Sequence, residues 1–284
     1  MIVNNKENME RRLEDEFKYL SEKHTHIAFN CIDWNRNIRQ NKDYLYATEG
    51  YITIPENYNP AIINKFKGLI THNSKFYEQN RHLNIILSNG PLDSHNYYRL
   101  DNFVSYEDKI DGIVSLNRIY STGKEGDILW MREPTILNIP YELKHTYGPN
   151  PWGGSFYQGK VVANHANHIN NLTITNKYKF VLTLEPMYHE LWSWDWVTER
   201  MWNAFKSKTI PIYYGCFNIE QKVPSHLFID FRKYINDLPG LTRFLKSYTK
   251  TQYVDQTEMA YEWYEKQCNI SKMEDLENLF DSLR

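Results

Sequence analysis

The chain has 284 residues, with 33 basic and 35 acidic side chains, a net charge of −2, 41% apolar and 15% aromatic residues. That is enough apolar surface for one large or two small cores. It is too aromatic for a disordered chain, and too close to neutral for a protein held mainly by polyanion backbones. No run of 18 uncharged apolar residues occurs, so no membrane span is expected, and the opening MIVNNKE lacks the apolar stretch of a signal peptide. Cys31, Cys216 and Cys268 are odd in number and lack metal-site spacing. They read as reduced thiols in a cytoplasmic protein.

Residues 6–22 carry Met9, Leu13, Phe17 and Leu20 at helical spacing, which predicts an amphipathic first helix. Strands are expected at Thr25–Asp33, Phe66–His72 and Leu83–Leu87, with a short helix over Ser74–Asn80 and a loop-rich stretch with brief strands from Asp43 to Pro60. A polar, weakly patterned stretch at 92–108 suggests a domain boundary. A second alternation follows: a strand at Asp111–Tyr120, a Gly-bearing loop, a helix over Asp127–Asn138 capped by Asp127, and a strand at Tyr141–Tyr147. KFVLTL at 179–184 is the clearest buried strand. Val197, Met201, Trp202 and Phe205 define a helix capped by Asp195 or Thr198. Thr209–Tyr214 is the next strand, where Pro211 demands an edge position or a strand start. A short strand at Leu227–Ile229, a helix at Leu238–Tyr248 and two helical segments between Gln256 and Leu283 complete the pattern. Strands alternating with helices predict an α/β protein with parallel sheets.

In open parallel sheets ligands bind at the carboxyl ends of the strands. The residues expected there include Arg118, Lys124, Arg132, Glu185, Glu199 and Arg200. Cations to hold phosphate and carboxylates to accept ribose hydroxyls suit a nucleotide diphosphate, and a helix N-terminus near Thr198 adds backbone N–H groups for the same anion. No Walker motif, GxGxxG, DxD, HExxH or GxSxG is present, which argues against P-loop hydrolysis, a standard dinucleotide site and α/β-hydrolase chemistry. Tyr178, Lys179 and Tyr214 are further candidates at the nucleotide, with strand packing as their alternative. His72, at a strand end, and the tryptophans Trp192, Trp194 and Trp196 are candidates to contact acceptor or sugar, because flat aromatic faces stack on sugars and bases.

Three segments follow one another closely: Tyr178–Glu185 (YKFVLTLE), Trp196–Ala204 (WVTERMWNA) and Thr209–Gly215 (TIPIYYG). Over about 106–250 the chain resembles the donor-binding domain of the α1,3-fucosyltransferases, fucosyltransferase family 10, whose pattern reads Y-K-F-x-L-x-F-E-N, then Y-x-T-E-K, then G-x-x-P-V-Y-x-G. The segment Gly112–Gly148 resembles that family's opening strand and helix, with Arg132 in the place of a nucleotide-contacting arginine. Ala47-Thr48-Glu49 followed by Pro55-Glu56-Asn57 resembles the acceptor-domain site, which implies Glu49 as general base. Two departures stand out: Arg200 replaces the family's Lys and Pro186 its Asn.

The resemblance implies a GT-B fold, two Rossmann-like domains facing a cleft. Residues 1–105 would bind the acceptor, 106–250 the nucleotide sugar, and 251–284 would be C-terminal helices packing back on the domains. It implies an inverting, metal-independent transfer of fucose from GDP-fucose to a glycan hydroxyl. Arg132 and Arg200 would stabilise the leaving diphosphate and no further cofactor would be needed. Two other classes fit the residues: a glycosyltransferase acting on a nucleic-acid base, for which Arg36, Arg39 and Lys42 are the hint, and a non-catalytic protein that binds nucleotide sugar or carbohydrate.

Overall fold

The computed structural model describes residues 23–24, 26–29, 42–47, 50–88, 100–116, 121–148, 157–159, 168–268 and 278–284. The helix expected at 6–22 lies outside them. The fold is mixed α/β with parallel sheets, and its contacts divide into two compact units. The described part of unit 1 comes from 23–88, 189–196 and 278–284, and that of unit 2 from 100–188 and 197–268. No helix among the described residues is long and apolar enough to cross a membrane.

Unit 1 is built on four parallel strands in chain order: β1 (Ile27–Phe29), β2 (Tyr44–Tyr46), β3 (Gly68–Thr71) and β4 (Ile85–Leu87). Helices α1 (Pro60–Ile63) and α2 (Ser74–Gln79) lie between β2 and β4 in sequence. Each is started by an asparagine: the Asn59 side chain accepts from the N–H of Ala61, and the Asn73 side chain accepts from that of Phe76 at 2.8 Å. Strand alternation sends Leu45, Leu69 and Ile85 to one face, against Ile54, Tyr58 and Phe76. Tyr44, Tyr46 and Ile70 go to the other, where Ile27 and Phe280 complete the cluster. The carboxyl-terminal residues therefore pack on the first sheet, and His26 reaches the carbonyl of Phe280 at 2.9 Å.

Unit 2 is built on six strands, all paired in parallel: β5 (Ile110–Ser115), β6 (Lys144–Tyr147), β7 (Tyr157–Gly159), β8 (Tyr178–Leu184), β9 (Ile210–Tyr214) and β10 (Ile229–Asp230). Their order across the sheet is β10-β9-β8-β5-β6-β7. Numbered within the unit, this is 6-5-4-1-2-3, the order of a doubly wound nucleotide-binding sheet, with its switch point between β5 and β8. The helices are α3 (Arg132–Asn138), α4 (His168–Thr175), α5 (Glu199–Lys206), α6 (Ile219–Lys222), α7 (Leu238–Lys246) and α8 (Lys250–Cys268). Phe180, Leu182, Leu184, Ile212 and Tyr214 face Ile136, Leu241, Leu245 and Tyr253, while Tyr213 packs with Met201, Phe205, Ala260 and Tyr264. Strands buried on both faces read as continuous apolar runs, which is why KFVLTL and TIPIYY stand out.

Several boundaries shift from the sequence reading. The helix expected from Asp127 begins as a 3-10 turn at Leu129–Met131 and becomes α3 at Arg132, with Pro134 in its first turn where a missing N–H is harmless. A 3-10 turn after Pro140 shortens the strand expected from Tyr141 to β6. Strand β9 is interior, between β8 and β10, so Pro211 is not on an edge strand: it is the second residue of β9, opposite Val181 of β8, and precedes Ile212, where pairing with β10 begins.

Candidate functional site at the switch point of the second sheet

The switch point lies where β5 and β8 end. The segment after β8 and the loop that leads into α3 are joined there. The N–H of Ile128 donates to the carbonyl of Pro186 at 3.1 Å, the N–H of Tyr188 donates to that of Gly126 at 2.9 Å, and Asp127 bridges Met187. The buried Asp127 carboxylate organises this loop, accepting from the N–H of Leu129 at 2.7 Å, the N–H of Gly123 at 3.1 Å and the hydroxyls of Ser121 and Thr122 at 3.0 and 2.8 Å. Burial alone would raise its pKa, but these donors outweigh it and hold the carboxyl below its usual range. Gly123 and Gly126 supply the left-handed φ values of 66° and 78° that the turn requires.

Glu185, the first residue past β8, is 0% exposed. Its Oε1 accepts the Thr198 N–H at 2.9 Å, and its Oε2 accepts the Thr198 hydroxyl at 2.7 Å. The Tyr213 hydroxyl donates to Oε1 at 3.5 Å, and Arg200 Nη1 lies 3.6 Å from Oε2. Burial pushes the Glu185 carboxyl up, against the lowering influence of Arg200 and Thr198. Thr198 is the N-cap of α5, so the helix dipole and the first-turn residues Glu199 and Arg200 meet at this point. Their side chains are 31% and 32% exposed and 3.6 Å apart. The structure thus brings Glu185, Glu199 and Arg200 together at one strand end and one helix start.

The remaining donor-site candidates are placed differently. Arg132 is 1% exposed, and its Nη2 donates to the carbonyl of Leu184 at 2.6 Å, so it braces the end of β8 just before Glu185. Tyr178 and Lys179 sit at the amino end of β8, about 20 Å of strand from Glu185. There the Tyr178 hydroxyl is 3.3 Å from that of Tyr147, and Lys179 lies 4.2 Å from the Tyr106 ring centroid and 3.6 Å from Asp111. Tyr214 ends β9 at the carboxyl edge, buried with its ring 4.6 Å from Tyr188, and burial pushes its hydroxyl up to about 12.

The other candidates belong to unit 1. Glu49 lies outside the described residues. His72 follows β3 and is buried, its ring 4.7 Å from that of Trp196, which is also buried. Trp194 is half-buried beneath the Lys75 ammonium at 4.6 Å, and Trp192 stacks on Tyr51 at 4.1 Å. The Trp192–Trp196 segment is held by Asn73, which donates to the carbonyl of Leu191 at 2.8 Å, and by Ser74, whose hydroxyl donates to Asp195 at 2.6 Å. The tryptophans are therefore built into this unit's own packing. Among the described residues no group of three or more His, Cys, Asp or Glu is arranged to hold a metal.

Two contributors escape sequence reasoning. Gly215 permits the close approach of Glu185: a Cβ there would lie 2.1 Å from Glu185 Cγ. Tyr213 is buried with its hydroxyl between Glu185 and the N–H of Cys216, and its alternation within β9 was the only signal.

Comparison with known proteins finds one family model and several relatives. The family described as glycosyltransferase family 10 (fucosyltransferase) C-term matches residues 144–281. An alpha-(1,4)-fucosyltransferase of Arabidopsis thaliana is 37% identical over 73 residues, 26% of this chain and 16% of that protein. A GDP-fucose protein O-fucosyltransferase 3 of Xenopus laevis is 36% identical over 53 residues, 19% of this chain and 10% of that protein. The matched segments thus span a sixth or less of these relatives' length. A crystal structure of an alpha1,3-fucosyltransferase aligns with a TM-score of 0.45 at 16% identity, covering 82% of this chain and 68% of that one. Over residues 144–281, just under half of its length, the chain is thus similar to the C-terminal domain of glycosyltransferase family 10, the fucosyltransferases.

Proposed function

We propose that the protein is an inverting, metal-independent GT-B glycosyltransferase that moves fucose from GDP-fucose to a hydroxyl of a glycan. Unit 2 takes the donor and unit 1 the acceptor. The observation that carries this reading is the family match over a unit whose switch point gathers Glu185, Thr198, Glu199 and Arg200. The names of the Arabidopsis and Xenopus relatives support fucosyl transfer, and the latter name supports GDP-fucose as donor.

In this reading Arg200, at the positive end of α5, stabilises the charge that develops on the departing diphosphate, a task a planar guanidinium performs well. Glu199 accepts the ribose hydroxyls. Arg132 acts from behind by fixing the end of β8. Glu49 removes the proton from the acceptor hydroxyl as it attacks C1 from the face opposite the diphosphate, so the configuration at C1 inverts. Cysteine usage supports the cytoplasm as its compartment.

The test is incubation with GDP-fucose and a panel of glycan acceptors in EDTA, with the product's anomeric configuration read by NMR. The expected product carries inverted fucose and forms undiminished in EDTA. Glu49→Gln should reduce kcat/KM by about 10²–10⁴-fold. Retained configuration, full dependence on added metal, or wild-type turnover by Glu49→Gln would each remove the corresponding part of the mechanism.

A further inference from the structure

The donor reading needs a guanidinium pointed in one direction, and Arg200 lies on a helix surface where a long side chain has many rotamers. Thr198 is hydrogen-bonded on both sides of this problem. Its hydroxyl donates to Glu185 Oε2 at 2.7 Å and accepts from the Arg200 backbone N–H at 3.4 Å and from Arg200 Nη1 at 3.2 Å. A hydroxyl has one proton and two lone pairs, and an ionised carboxylate only accepts. With Glu185 on one side, the proton is committed there and the lone pairs are turned toward Arg200. The Thr198 N–H, donating to Oε1 at 2.9 Å, makes the carboxylate bidentate to one residue and so locks its plane. Gly215 leaves the space in which Glu185 sits, and Tyr213 closes its inner side.

We propose that Glu185 is a positioning residue that acts through Thr198 to orient the Arg200 guanidinium toward the diphosphate of the donor. Glu185 is fully buried and both of its oxygens are engaged with Thr198, so it serves the ligand without touching it. Glu199, 3.6 Å from the same Nη1, restrains the guanidinium from a further side. This inference rests on the donor reading above and adds to it a chain of three residues with assigned donor and acceptor senses.

The chain is tested by titration calorimetry of GDP and of guanosine, since the ratio of their dissociation constants isolates what the diphosphate contributes. Arg200→Ala should lower the preference for GDP about tenfold. Thr198→Val, which leaves Arg200 in place, should lower it by a similar factor, and Thr198→Ser should keep it. Glu185→Gln should lower it too, because its amide N–H claims the Thr198 lone pair that serves Arg200. The double variant Thr198→Val/Arg200→Ala should match Arg200→Ala alone, because the two residues act as one unit. A purely structural cap would weaken GDP and guanosine equally and leave the ratio unchanged. That result, or multiplying effects in the double variant, overturns the positioning role while leaving the donor reading intact. A wild-type protein that binds neither probe overturns the donor reading, and the positioning role with it.

Discussion

Glu185 shows at residue scale what a sequence reveals and what it conceals. A carboxylate directly after KFVLTL is legible as a strand-end residue. Its direction is not, because a residue past the end of a strand has no periodicity to aim it. The inward orientation comes from two partners distant in sequence, Thr198 and Gly215. A methyl group at 215 would lie 2.1 Å from Glu185 Cγ and 2.3 Å from its Cβ. Gly215→Ala should therefore destabilise unit 2 by about 1–3 kcal/mol and displace Glu185 from Thr198, and urea denaturation of the variant against wild type measures this. Unchanged stability would contradict the close approach. The pH dependence follows from burial. The folded state raises the Glu185 pKa above its ordinary 4.5, so the native protein holds this proton more tightly than the unfolded chain. The corresponding stability is present below 4.5 and is lost as pH rises through the raised folded value. Glu185→Gln, neutral throughout, should flatten this part of the stability–pH curve, and denaturation at a series of pH values reads the slope.

At the scale of elements, β8, β9 and α5 were legible because parallel strands buried on both faces form unbroken apolar runs and α5 has a cap and an apolar stripe. The segment between β8 and α5 was legible only as an aromatic-rich loop. Its attachment to unit 1 depends on Asp195, whose φ of 61° is left-handed and whose carboxylate accepts from both the N–H and the hydroxyl of Ser74. A strained backbone held by a specific bond has no short-range sequence signature. Asp195→Ala should remove the bonds without relieving the strain and destabilise unit 1 by about 1–3 kcal/mol, whereas Asp195→Asn should retain most of the stability. Equal stability of the two variants would contradict this role. A similar hidden tie is Lys109, just before β5. Its buried ammonium donates to the carbonyls of Asn176, Tyr178 and Ser207 at 2.6, 3.4 and 3.4 Å, joining the amino ends of the central strands. Burial pulls it down to about 7. The unfolded chain then binds the extra proton between about 7 and 10.5, so stability should rise with pH across that window, and Lys109→Met should abolish the rise.

At the scale of the whole chain, alternating strands and helices were enough to predict parallel α/β architecture. The strand order 6-5-4-1-2-3 of unit 2 was not, since sequence order carries no information about which side of the sheet a strand joins. That order locates the switch point, and the motif Thr198–Arg200 falls beside it. The same limit applies to the division into units, because residues 189–196 and 278–284 join unit 1 through contacts far from it in sequence. The ligand proposed for this edge of unit 2 is a guanosine diphosphate sugar. A ligand that binds only the native state stabilises it by mass action, by about 2.7 kcal/mol at a hundredfold excess over Kd. The most direct measurement is the thermal shift of the protein with GDP, UDP, ADP and CMP at equal concentration. GDP should raise Tm and the other three should not. An equal shift with UDP, or none with GDP, would contradict this proposal.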